Sequence, residues 1–180
     1  MNLGMNPGVS LDGERVELSR VALEVFTTTG QYVTKATNLE IQLIGSGAPG
    51  GNNTAGGNAG ATAIKRIIGL PIGTILTVTN TAGSLTCAIP GYANLVAAAG
   101  IDGSRSPALS QGGDLNIPGG LGLALDQDGA GGYGGASTLG VGGAPGSTPG
   151  PGVGFGAGGG CGINTAGGAG QPGVMVVRYF

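Results

Sequence analysis

The stretch LEIQLIGSGAPGG, Leu39 to Gly51, decides how the chain is read. Leu39, Ile41 and Leu43 alternate with Glu40 and Gln42, the period of a strand with one face buried. The strand runs into Gly45-Ser46-Gly47-Ala48-Pro49-Gly50. Taken literally, that is the G-x-G-x-x-G turn of a dinucleotide site. Such a site needs a helix starting at the turn, whose N–H groups hold the pyrophosphate, and an acid about 20 residues on for the ribose. Neither is present. The next segment, GNNTAGGNAG, disfavours helix. No Asp or Glu occurs between Glu40 and Asp102. No phosphate-binding lysine follows the required glycines either. The chain is therefore read as holding no cofactor, and the glycines must serve another end.

Gly is 43 of 180 residues. Between 129 and 173 it is 21 of 45, in all three phases of a three-residue repeat, which excludes a continuous collagen helix. A flexible linker would be Gly/Ser-rich and polar, whereas Leu139, Val141, Val153, Phe155 and Ile163 fall between the glycines. The run GPGVGFGAG, Gly150 to Gly158, alternates strictly. If extended, one face is bare backbone and the other carries Pro151, Val153, Phe155 and Ala157. A bare face lets a second backbone come within hydrogen-bonding distance. Flat strands or left-handed helices of three residues per turn both meet that condition; mixed GG and GxG spacing favours the second. Ordering a glycine costs roughly 0.5–1 kcal/mol more than ordering alanine, and a hydrogen bond returns about 0.5–1.5 kcal/mol net. Support is therefore expected from partner subunits or from an anchoring sheet.

Composition excludes several classes. Charged residues are 9% and net charge is −2, against solvating disorder. Seven Lys and Arg scattered along the chain make no basic footprint, so no nucleic acid is expected as partner. No run approaches the ~20 apolar residues of a membrane helix. The start MNLGMNPGVSLDGERVE has no basic and apolar leader. The expectation is a protein that stays where it is made or leaves inside a larger particle.

Along the chain, residues 1–20 hold five of the sixteen charged side chains and read as an arm. Residues 21–180 read as one glycine-rich β domain: a strand base over 21–100, a glycine-rich cap over 101–173 and a closing strand over 174–180. In the base, Val21–Thr28 and the following QYVTKAT read as a hairpin. LEIQLI, ATAIKRIIGL, GTILTVTN and SLTCAIPG read as strands, and YANLVAAAG as a short helix. In VMVVRYF, Val174 and Val176 face one way and Met175, Val177 and Tyr179 the other. Its expected partner is LEIQLI. The fold class is all-β: a sandwich-like base with a cap of layered extended or polyproline-II-like segments.

The order FTTTGQYV, LEIQLIGSGAPGG, GGDLNIPGG, GGYGGAST, GGAGQPGVMVVRYF resembles the glycine-rich terminal domain of bacteriophage tail-fibre and tail-tip proteins. The resemblance covers roughly Leu23 to Phe180. It implies a virion protein, assembled in the host cytoplasm, that recognises a host surface glycan or outer-membrane protein. It also implies a homotrimer, with residues 1–20 docking on tail, baseplate or capsid proteins. The chain is short for a fibre, and a purely structural baseplate, spike or capsid subunit is the alternative. A cellular glycine-rich surface protein is the third class. Candidate receptor contacts are polar and aromatic residues of glycine-rich turns: Asn52, Asn53, Thr54, Asn58, Tyr133, Ser147, Thr148 and Phe155. Against that stand solvated turn chemistry for the Asn and Thr residues and gap-filling for Tyr133 and Phe155.

Other chemistry finds little footing. The chain lacks His, so no Ser-His or Cys-His arrangement exists. Asp102, Asp114, Asp126 and Asp128 could supply a glycosidic carboxylate pair, but nothing brings two together, and the chain is read as no enzyme. Asp126 and Asp128 faintly suggest a calcium loop; Asp-Gly turn chemistry is the plainer reading, and no metal is expected. Cys87 and Cys161 read as two isolated thiols, although a bridge needs only that their backbones approach.

Overall fold

The computed structural model describes residues 23–102, 106–124 and 131–180; the expected docking arm, residues 1–20, lies outside them. The described residues form strands and no helix, so the chain is all-β. The strands are β1 (Leu23–Phe26), β2 (Gly30–Val33), β3 (Leu39–Ile44), β4 (Thr62–Ile67), β5 (Ile75–Thr81), β6 (Ser84–Ala88), β7 (Leu95–Ala97), β8 (Ser110–Gln111), β9 (Leu115–Ile117), β10 (Leu139–Val141), β11 (Val153–Phe155) and β12 (Val174–Tyr179). One five-stranded sheet has the order β1-β12-β3-β4-β9, a second the order β2-β5-β6-β7-β8, and β10 and β11 form a separate ribbon. All named pairings are antiparallel.

Alternation writes the core. Leu39, Ile41 and Leu43 of β3 and Met175, Val177 and Tyr179 of β12 face the second sheet, where Tyr32, Leu76, Val78, Leu85, Cys87, Leu95 and Ala97 meet them. Each large aliphatic side chain buried there stabilises the fold by roughly 1.5–3 kcal/mol. LEIQLI pairs with VMVVRY over six positions, from Ile44 opposite Val174 to Leu39 opposite Tyr179. The outward residues Ile44, Val174 and Val176 form a second small core under Phe155 of the ribbon. Two faces of β12 are thus covered, which is why it reads as an almost continuous apolar run.

Three local expectations are corrected. Among the described residues β1 and β2 do not form the expected hairpin: β1 pairs with β12 and β2 with β5, in different sheets. Each strand turns one aromatic ring inward, and Phe26 meets Tyr32 edge-on at 4.8 Å between centroids. Burying those rings between the sheets outweighs the local pairing. YANLVAAAG contains β7 rather than a helix; Leu95 and Ala97 are buried on one side and register with Cys87 and Leu85. GPGVGFGAG does not keep one bare face, because Gly154 and Gly156 take φ of 83° and 71°. The chain turns there, so Val153 is exposed while Ala157 is fully buried.

Both thiols are free and buried. Burial in the apolar core pushes the Cys87 thiol up to about 12. Strands β8 and β9, from the stretch beyond residue 100, join the two main sheets, while residues 45–61 leave the sheets for the glycine-rich region.

Candidate functional site

Register places the glycine-rich segments that leave β3, lead into β4 and β12 and follow β9 at one end of the sandwich. Ile44, Val174 and Thr62 lie level at that end of β3, β12 and β4, and Ile117 lies opposite Thr62. Beyond them run Gly45, Gly173, Ala61 and Pro118. The end of β7 joins the same group, since Ala61 N donates to Ala98 O at 3.0 Å. Leu23 and Tyr179 mark the other end.

Beyond the sheets the segments bond laterally, and the bonds advance three residues at a time. Gly45, Ala48 and Gly51 donate to Ala61, Asn58 and Ala55 at 3.0, 2.9 and 2.9 Å, an antiparallel pair. Gly159 and Gly162 donate to Ala48 and Gly51 at 3.0 and 2.9 Å, a parallel pair with the same step. Gly47 and Gly50 donate to Gln171 and Gly168. A three-residue step is the repeat of polyproline II, whose N–H groups point outward in three directions.

The centre is Gly156–Gly162, buried throughout. Its N–H groups, other than that of Ala157, reach Pro172, Gly135, Ala48, Gly150, Gly132 and Gly51. Its carbonyls accept from Gly60, Gln171, Gly143, Gly57, Gly168, Gly146 and Asn53. This backbone is satisfied from several sides by neighbours within the same chain, as burial requires. Close approach is what excludes side chains. A Cβ at Gly159 would overlap the carbonyl oxygen of Gly168, and one at Gly158 that of Gly57.

Asn58 is corrected as a receptor contact. It is fully buried, and its amide Nδ2 donates to Ser106 O at 3.0 Å while Oδ1 accepts from Gly122 N at 2.8 Å. It ties three segments together inside the array. Phe155 is half-buried against Ile44, Val174 and Val176, so it fills a gap, and it stands on the ribbon rather than at the far turns.

The remaining candidates are exposed, and the structure gathers several of them. Segment 45–51 runs outward to the turn at Asn52, Asn53 and Thr54, and 55–61 returns. Segments 142–146 and 156–162 run outward in parallel to turns at Ser147 and Thr148 and at Ile163–Thr165. Gly162 forms bridges with both Asn52 and Gly146, so these three turns are neighbours. At about 3.1 Å per residue, the six steps from Gly45 to Gly51 hold them roughly 20 Å beyond the sheets. Sequence reasoning missed Asn164. It pairs with Asn53: Nδ2 of Asn53 donates to Oδ1 of Asn164 at 3.0 Å, and Asn164 N donates to Oδ1 of Asn53 at 2.8 Å. Tyr133 is 56% exposed. Its carbonyl accepts from Leu123 N at 2.8 Å, and Leu123 O accepts from Gly56 N, which places the ring on the flank next to the first turn.

Charge is segregated. Of the eight described charged residues, seven occupy the half of the sandwich away from the turns: Glu24, Lys35, Glu40, Lys65, Arg66, Asp114 and Arg178. Asp102 is the eighth. Lys65 Nζ lies 2.6 Å from Asp114 Oδ1, and Arg66 N donates to its other oxygen at 2.9 Å. The Lys65 hydrogen bond, then that of Arg66, holds the Asp114 carboxyl below its usual range. That carboxylate is committed to an ion pair. Asp126 and Asp128, considered for metal or for catalysis, lie outside the described residues. Among the described residues no three Asp, Glu or Cys side chains come together.

No family model matches the chain, and no curated protein matches it.

Proposed function

We propose that the chain is a bacteriophage virion protein at a fibre or tail tip that recognises the host surface with the turns of its glycine array. One observation carries this reading: the array holds three polar turns side by side at the end opposite Leu23 and Tyr179. An arrangement of that kind presents its turns outward, away from the end marked by Leu23 and Tyr179. Dense backbone bonding supplies rigidity, and rigid display lowers the ordering cost of binding. Asn52, Asn53, Thr54, Ser147, Thr148 and Tyr133 are the contacts on this reading, with Asn164 added. The resemblance to phage glycine-rich domains supports it independently.

Residues 1–20 dock on the virion in this proposal, and the assembled form is a homotrimer. The trimer rests on the resemblance, because the centre of the array finds its partners within one chain. Apolar surface for it is offered by Leu23 and Val25 and by the register pair Val141 and Val153, all at least half exposed. A trimer would sediment at about 51 kDa, three times 17.1 kDa.

The test is competition. Purified protein added to host cells should block adsorption of the parent phage in a saturable way. Full adsorption at saturating protein would sink the adhesin reading and favour a purely architectural subunit.

A further inference from the structure

We infer that the tip recognises a neutral, hydroxyl-rich sugar chain, and that it does so without ion pairing. The inference rests on the tip reading above and narrows it. The described turns present amides and hydroxyls: Asn52, Asn53, Thr54, Ser147, Thr148, Asn164 and Thr165. No charged residue occurs from Ile41 to Ile64 or from Gly129 to Val177. A phosphorylated or carboxylated ligand is normally held by Arg or Lys, which supply charge-assisted and bidentate hydrogen bonds. The described turns contain neither. Arg105, Asp126 and Asp128 lie outside the described residues.

What the turns do supply suits sugar hydroxyls. A carboxamide offers two donors and an acceptor oxygen, and a hydroxyl offers both roles. Adjacent ring hydroxyls need that mixture. Asn53 Nδ2 donates to Asn164 Oδ1, and Asn53 Oδ1 accepts from the Asn164 backbone N–H, so both amide planes are fixed. Each retains donor capacity, since an amide NH2 carries two hydrogens. The exposed Tyr133 ring adds an apolar face with a polar end, matched to the C–H face of a pyranose. Protein-binding surfaces draw on Tyr, Trp, Arg and Met at their centres; of these the described turns and their flank offer Tyr133 alone.

Two backbone values make the test clean. Asn53 and Asn164 both have positive φ, 51° and 54°, so Asn53→Gly and Asn164→Gly remove the amides while keeping a permitted conformation. The full-length protein would be applied to an array of neutral hexose oligosaccharides and their sialylated or phosphorylated counterparts. We expect binding to neutral members, changing less than twofold between 50 mM and 500 mM NaCl. We expect at least a tenfold loss in the double Gly variant and in Tyr133→Ala, with thermal transitions within a few degrees of the parent. Binding confined to anionic members, or weakened more than tenfold by that salt step, overturns the inference. Absence of glycan binding by protein that still blocks phage adsorption overturns it too, and leaves the adhesin reading standing with a protein receptor. Failure in both assays removes both.

Discussion

Asn53 and Asn164 stand 111 positions apart in sequence and clasp each other through two hydrogen bonds at 3.0 and 2.8 Å. Both sit in the left-handed region, which Asn tolerates better than most residues. Each therefore closes its own turn and holds its neighbour's. A double-mutant cycle on Asn53→Ala and Asn164→Ala should show a coupling energy of about 0.5–1 kcal/mol by chemical denaturation. Asn53→Gly should cost less than Asn53→Ala, because alanine adds backbone strain at φ 51°. Strict additivity would show that the Nδ2–Oδ1 bond contributes nothing; the bond from the Asn164 backbone N–H is lost in Asn53→Ala alone.

Position should govern the effect of replacing a glycine. Gly159→Ala places a methyl group against the carbonyl of Gly168 in the fully buried centre of the array. We expect a loss of roughly 3 kcal/mol or more. Gly30→Ala is the contrast: nothing lies near its added Cβ, and its φ is not in the positive range. That change should be neutral, or stabilise by up to about 1 kcal/mol through the unfolded chain. Equal melting temperatures for the two variants would refute close backbone packing at Gly159.

Asn58 makes a third case. Asn58→Ala removes the amide that accepts from the Gly122 N–H and donates to the Ser106 carbonyl, both part-buried bonds, at about 0.5–1.5 kcal/mol for each bond lost. Hydrogen exchange at the Gly122 amide should accelerate by more than the global destabilisation explains. Unchanged protection there would mean that the Asn58 side chain does not hold this segment.

Alkaline pH should destabilise the fold. Burial pushes the Cys87 thiol from an ordinary 9.0 up to about 12, and burial also raises the Tyr179 phenol. Below about pH 9 the thiol is protonated in both states and its contribution is fully present. As pH rises from about 9 to 12 the unfolded thiol ionises and the folded one does not, so stability falls. For Cys87 the loss is on the order of 4 kcal/mol across the window. Cys87→Ala should flatten that slope, at the cost of packing. Folded protein should also resist thiol reagents at Cys87 at pH 8, reacting there only when unfolded. Rapid modification of folded protein at that position would contradict the buried thiol.

Acid titration has a smaller effect of opposite sign. Asp114 is held below its usual range by Lys65 and the Arg66 N–H. Its stabilising contribution is present above the unfolded carboxyl value and disappears as pH falls through the folded one. The pair is half exposed on the Asp114 side, so solvent and salt weaken it.

The sequence alone determined that the chain is all-β, and that LEIQLI would lie beside VMVVRYF with one face of each in the core. Alternation is a local signal, and a strand with a mandatory buried face can take few registers. The glycine excess likewise announced close backbone contact, because no other residue permits it. Only the tertiary structure decided the rest. Residues 21–38 contain two strand-like runs that any local reading folds into a hairpin, yet Phe26 and Tyr32 draw them into opposite sheets. Asn58 and Asn53 look alike in GNNTAGGNAG. One is buried by Ser106 and Gly122, and the other is turned outward against Asn164. Glycine carries no side chain to encode a partner, so the pairing of one glycine segment with another is set by the sheets that launch them. That is why the array was legible as a kind of packing, while the membership of the tip was not.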